Sequence, residues 1–157
     1  MAHIHEKIDF TVEVFIVRDN KVLLRMHDKY KFWLSVGGHV ELDEDPNQAA
    51  LREVREEVGL DIELFDPQAH KNSDEHFTEL IAPIALGRHA ATHGAHPGHE
   101  HVTMVYFARA LSGEVRVTHA GDRSDEWRWF SRADLESTEM PSNVRNYALR
   151  ALTELAT

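Results

Sequence analysis

No cysteine occurs among the 157 residues of this chain. Neither a disulfide framework nor a thiolate zinc site can be built from it, and nothing in it calls for an oxidising compartment, so a cytoplasmic location is expected. Long apolar runs are also missing. No uninterrupted apolar stretch approaches the ~20 residues of a membrane span, and the opening MAHIHEKIDF has no apolar signal segment, so a soluble protein without a membrane partner is expected. Positive charge is in short supply. Lys and Arg number 17 against 27 Asp and Glu, a formal net charge of −10, which argues against a nucleic-acid polymer as partner. Any phosphate ligand is expected to arrive with cations.

What the chain does have is enough for one ordinary core. With 42% hydrophobic residues in 157, a single domain spanning 1–157 is expected. IDFTVEVFIV alternates Ile8, Phe10, Val12, Val14 and Ile16 on one face, and RDN then turns into KVLLRM, so residues 8–26 read as a hairpin. KFWLS reads as a short strand stopped by Gly37 and Gly38. LDIELF, ELIAPIAL, HVTMVYFARAL and EWRWF follow as further strands. Short helices are expected near SRADLE and from Ser142 to Leu155, where Val144, Tyr147, Ala148, Ala151, Leu152 and Leu155 form an apolar stripe that reads as core. Strands interleaved with helices point to an α+β or α/β sandwich.

The informative stretch is GGHVELDEDPNQAALREVREEVGL, residues 37–60. A helix is predicted from Pro46, with Asp45 as N-cap, to a stop at Gly59. At ~100° per residue, Glu53, Glu56 and Glu57 share an arc of roughly 100°, while Leu51, Val54 and Val58 lie on another side. Like charges three and four apart on a helix repel by ~0.2–0.5 kcal/mol per pair, so something should offset the cost. A solvated acidic face is the ordinary reading of such a run. The surrounding spacing favours another. Gly38, Glu44, Arg52, Glu53, Val54, Glu56, Glu57, Gly59 and Leu60 spell G-x5-E-x7-R-E-U-x-E-E-x-G-U, with U aliphatic. At residue frequencies such as ~7% for Gly, nine such positions coincide by chance on the order of once in 10⁹ starting points.

This pattern resembles the defining box of the Nudix hydrolase family, and Trp33-x-x-x-Gly37-Gly38 and the EWRWF strand are similar to the family as well. The resemblance implies an α/β/α sandwich with a mixed β-sheet. It also implies hydrolysis of a diphosphate linkage in a nucleoside diphosphate derivative, with Mg²⁺ or Mn²⁺ required. By the same resemblance Glu53, Glu56 and Glu57 are the metal ligands, joined by the carbonyl of Gly38. Oxygen ligands of this kind suit a hard cation that bridges to phosphates. Glu53, or a carboxylate outside the box, would assist the attacking water as base. Arg52 is implied to hold Glu44 and so fasten the loop to the helix, with catalytic phosphate binding as its alternative role. Homodimers are common among relatives, so a homodimer is the assembly the resemblance suggests.

Outside the box, Asp122, Asp125 and Glu126 in HAGDRSDEWRWF are candidates for a further ligand or the base, Glu126 first among them. Trp33, Phe77, Tyr106 and Trp129 could stack on a nucleobase, although aromatics in strands usually belong to the core. His89, His93, His96, His99 and His101 crowd into RHAATHGAHPGHEH. Imidazoles suit transition metals, but the intervening Gly and Pro read as a solvated or substrate-contacting loop with no ready scaffold for an ion. For substrate, a nucleoside triphosphate, oxidised or otherwise non-standard, comes first by elimination. A sugar nucleotide or ADP-ribose is the alternative, and a nucleotide-sensing domain without turnover is a different class of function. Isomerisation of isopentenyl diphosphate, another reaction on this fold, leans on a cysteine that the chain lacks.

Overall fold

Two long strands, β1 (Ile8–Arg18) and β7 (Glu100–Ala110), run parallel in register from Ile8 opposite Glu100 to Val17 opposite Arg109. They form the spine of a computed structural model that describes residues 7–27, 31–68, 71–90, 98–112, 114–116 and 126–156. All other pairings are antiparallel. β2 (Lys21–Met26) turns back on the end of β1, and β4 (Val36–His39) pairs with its beginning. β5 (Ile62–Leu64) and β6 (Ala85–Ala90) divide the far edge of β7 in the same manner, while β3 (Trp33–Leu34) and β8 (Glu126–Phe130) add to β2.

Helix α1 (Pro46–Val58) covers one face of this mixed sheet, and α2 (Arg132–Ser137) and α3 (Ser142–Glu154) are associated with the other, giving the α/β/α sandwich. Alternation along β1 divides the core. Val12, Val14 and Ile16 pack with Ala50, Val54 and Val58 of α1, whereas Phe15 and Val17 pack with Val144, Ala148 and Leu152 of α3. Each fully buried aliphatic side chain contributes roughly 1.5–3 kcal/mol relative to exposure.

The start of α1 is fixed by a reciprocal cap. The Asp45 carboxylate accepts from the Gln48 N–H at 2.9 Å and the Gln48 side chain accepts from the Asp45 N–H at 2.9 Å, an arrangement that contributes about 1 kcal/mol. Gly59 ends the helix in the left-handed conformation, φ 65°.

Several expectations need correction. Ile8 and Phe10 are 41% and 50% exposed, while Asp9 and Thr11, which alternate with them, are buried, so the start of β1 presents its polar face inward. Gly37 and Gly38 do not stop a strand; they lie within β4, held by the ladder to β1. ELIAPIAL is not a strand as far as Ile84, and β6 starts only at Ala85. Leu51 sits at the margin of the apolar arc of α1, 44% exposed, and Glu53 takes the inward position instead.

Candidate active site

The box residues meet where α1 crosses β4. Gly38 pairs with Val12 and therefore faces α1, and a Cβ placed on Gly38 would lie 2.3 Å from Oε1 of Glu53. Glycine thus leaves room for the Glu53 carboxylate against the strand backbone. Burial pushes the Glu53 carboxyl above its ordinary range, an effect partly offset by its hydrogen bond from Arg52.

Arg52 organises the other side. Its Nε and Nη2 donate to both oxygens of Glu44, at 2.9 and 2.6 Å, and Nη2 also donates to the His39 carbonyl at 2.9 Å. Nη1 donates to Glu53 at 2.9 Å and to Glu56 at 3.1 Å. The hydrogen bond from Arg52 holds the Glu44 carboxyl below its ordinary range, and Glu44 in return raises the guanidinium further. The loop after β4 is therefore tied to α1 by a fork-shaped ion pair.

Glu57 lies toward a different partner set. It accepts from the Gly37 N–H at 3.2 Å and pairs with Arg25 of β2 at 3.3 Å. Glu126 is exposed at the start of β8, opposite Met26, one step from the Arg25–Trp127 pair. The structure thus gathers Gly38, Glu44, Arg52, Glu53 and Glu56 into one network and sets Glu57 beside it. Asp122 and Asp125 lie outside the described residues.

The donors fit a hard divalent cation. Glu53 and Glu56 converge on a single positive group, Nη1 of Arg52, and the Gly38 backbone is accessible where a side chain would close it off. Carboxylate and carbonyl oxygens are the ligands such an ion prefers.

Among the aromatic candidates, Trp33 is buried edge-on against Phe130 with ring centroids 4.7 Å apart, and buried Tyr106 receives a hydrogen bond from Asn47. Trp129 packs partly buried on the α1 side, and Phe77 is exposed. Glu13 escaped the sequence reading. Burial raises its carboxyl above the ordinary range, with a Ser35 hydrogen bond opposing the shift; its sign in the sequence was a charge amid the apolar run of β1.

The NUDIX domain model matches residues 8–151. A hydrolase of the NUDIX family from Clostridium perfringens has the same fold, with TM-score 0.80 and 34% identity over 94% of this chain and 97% of that one. The CTP pyrophosphohydrolase of Escherichia coli (strain K12) is 34% identical over 103 residues, 60% of this chain and 72% of that protein. The 8-oxo-dGTP diphosphatase of Proteus vulgaris is 46% identical over 50 residues, 30% of this chain and 45% of that protein, so the match spans less than half its length. Among the described residues no helix is long and apolar enough to cross a membrane. On the box, the sandwich and these matches together, the chain belongs to the NUDIX family and is by class a hydrolase acting on phosphoric anhydrides.

Proposed function

We propose that the chain is a nucleoside triphosphate pyrophosphohydrolase that uses Mg²⁺ or Mn²⁺ held by Glu53, Glu56, Glu57 and the Gly38 carbonyl. Water adds at phosphorus, the bridging P–O bond breaks, and the electron pair leaves on the bridging oxygen, giving pyrophosphate and a monophosphate. The observation that carries this reading is the Glu53 carboxylate lying against Gly38 while sharing Arg52 with Glu56. NUDIX hydrolases generally use divalent metals. The bound ion would neutralise phosphate charge and lower the pKa of a bound water.

The protein residues have separable tasks. Arg52 and Glu44 fix the loop bearing Gly38 to the helix bearing the carboxylates. Arg25 steadies Glu57 from β2. Glu126, outside the box, is the residue we assign as base, with Glu53 as the alternative. A triphosphate substrate is supported by three relatives whose names specify 8-oxo-dGTP, CTP and dihydroneopterin triphosphate. A cytoplasmic homodimer accompanies the proposal.

The test is a substrate panel of standard and oxidised nucleoside triphosphates, ADP-ribose, sugar nucleotides and dinucleoside polyphosphates, each with Mg²⁺, Mn²⁺ or EDTA. Preference for one triphosphate supports the proposal. Preference for a sugar nucleotide or ADP-ribose would replace the substrate class, and binding without turnover would make the chain a sensor.

A further inference from the structure

Gly38 and His39 are neighbours in β4, so their outward directions alternate between the two faces of the sheet. Gly38 faces α1. His39 pairs with Thr11 and therefore shares the opposite face with Asp9, Thr11 and Thr103, the last two joined by a 2.7 Å hydrogen bond. His101 pairs with Asp9 across β1 and β7, and His89 pairs with His101 across β6 and β7. Four strands thus carry imidazoles and a carboxylate to one place on the face away from the box.

The side chains converge there. Donor atoms of Asp9, His39 and His101 all lie within 4.8 Å of one another, the one such trio among the described residues. Nε2 of His39 is 3.4 Å from Oδ2 of Asp9, and Nε2 of His99 is 3.0 Å from the same oxygen. The His101 ring stands edge-on to His39, His89 and His99, with centroids 5.1, 5.2 and 5.4 Å apart. Asp9 and His99 are 1% and 2% exposed.

We propose that Asp9, His39 and His101 form a second metal site, separate from the box, for a borderline transition-metal dication of the Zn²⁺ class. Two nitrogens and one carboxylate oxygen match the mixed N/O sets that such ions take, and they do not suit Mg²⁺. Three protein ligands leave a fourth position for water. His99 is the outer partner that orients the Asp9 carboxylate. The scaffold that the His-rich segment lacked in sequence is therefore supplied by the strands: His89 and His101 lie on β6 and β7, and His99 directly precedes β7. His93 and His96 lie outside the described residues.

Such an ion would clamp β4 to β1 and β7 one residue from Gly38. Because the His39 carbonyl is also held by Arg52, the clamp would brace the root of the box loop.

The test uses the full chain, stripped with EDTA and dialysed against micromolar Zn²⁺ in millimolar Mg²⁺, with zinc counted per chain by mass spectrometry. One tightly held zinc per chain is expected, its affinity weakened about tenfold or more in Asp9→Asn and His101→Ala and unaltered in Glu53→Gln. Circular dichroism verifies that each variant is folded. Should either fail to fold, Co²⁺-loaded wild-type chain in Mg²⁺ gives an independent reading through paramagnetically shifted imidazole N–H proton signals. Absence of zinc, absence of those signals, or folded Asp9 and His101 variants that bind as wild type would overturn the site. Loss of zinc in Glu53→Gln alone would place the ion in the box and overturn it equally.

Discussion

Arg52 grips both oxygens of Glu44, eight residues earlier in the chain, at 2.9 and 2.6 Å. One side chain thereby ties the loop after β4 to the helix that bears the carboxylates. A lysine has the charge but not the fork. Arg52→Lys is expected to lower stability by about 1–2 kcal/mol, since one charge-assisted bond remains of several. The corresponding fall in melting temperature is roughly 2–8 °C. Urea unfolding together with kcat and KM would show it, with kcat reduced at least as much as stability.

Gly38→Ala separates fit from folding. The added Cβ would meet the tip of the Glu53 side chain, with Oε1 2.3 Å away, so relief requires displacing that carboxylate. The expected outcome is a change in stability below ~1 kcal/mol, accompanied by a loss of Mg²⁺-supported turnover on the order of tenfold or more. Equal losses in stability and turnover would contradict the cradle.

Glu53 also makes a prediction about pH. Its carboxyl is raised in the folded state, chiefly by burial, so the folded chain binds its proton more tightly than the unfolded chain does. This group's contribution to stability is present below the ordinary carboxyl pKa of about 4.5 and is lost as pH rises through the raised folded value. Glu53→Gln abolishes that loss. In metal-free buffer the variant is expected to melt above wild type at pH 7, with the gap closing toward pH 4. Melting curves across that range check the sign.

Divalent metal should reverse the ranking. An ion that binds only the folded chain stabilises it by mass action, about 2.7 kcal/mol at a hundred times its Kd. Wild type is expected to gain melting temperature with Mg²⁺, while Glu53→Gln gains much less. Differential scanning fluorimetry with and without Mg²⁺ reads both.

The local parts of this molecule were legible in the sequence. Asp45, Pro46 and Gly59 bound α1 at the residues observed, because capping depends on a few neighbouring positions. The box was equally readable, since its spacing runs through one continuous segment, from the end of β4 through a loop to α1. Sheet details were less so. Gly37 and Gly38 have poor intrinsic strand preference and read as a stop, yet pairing with Val12 and Glu13 keeps them in β4. The inward polar face of β1 was hidden for a related reason: the burial of Asp9 goes with His99, ninety residues on in the chain and just ahead of β7, which meets it there. The Asp9, His39 and His101 cluster draws on three strands far apart in sequence, and no spacing rule could announce it.

The central claim is that the carboxylates beside Gly38 drive anhydride hydrolysis. The most direct measurement is the rate of pyrophosphate and monophosphate release from the preferred triphosphate by wild type and Glu57→Gln, each with Mg²⁺ and with EDTA. The account predicts equal amounts of the two products from wild type, abolished by EDTA and reduced by orders of magnitude in a folded Glu57→Gln variant. Turnover that survives both EDTA and the substitution would contradict it.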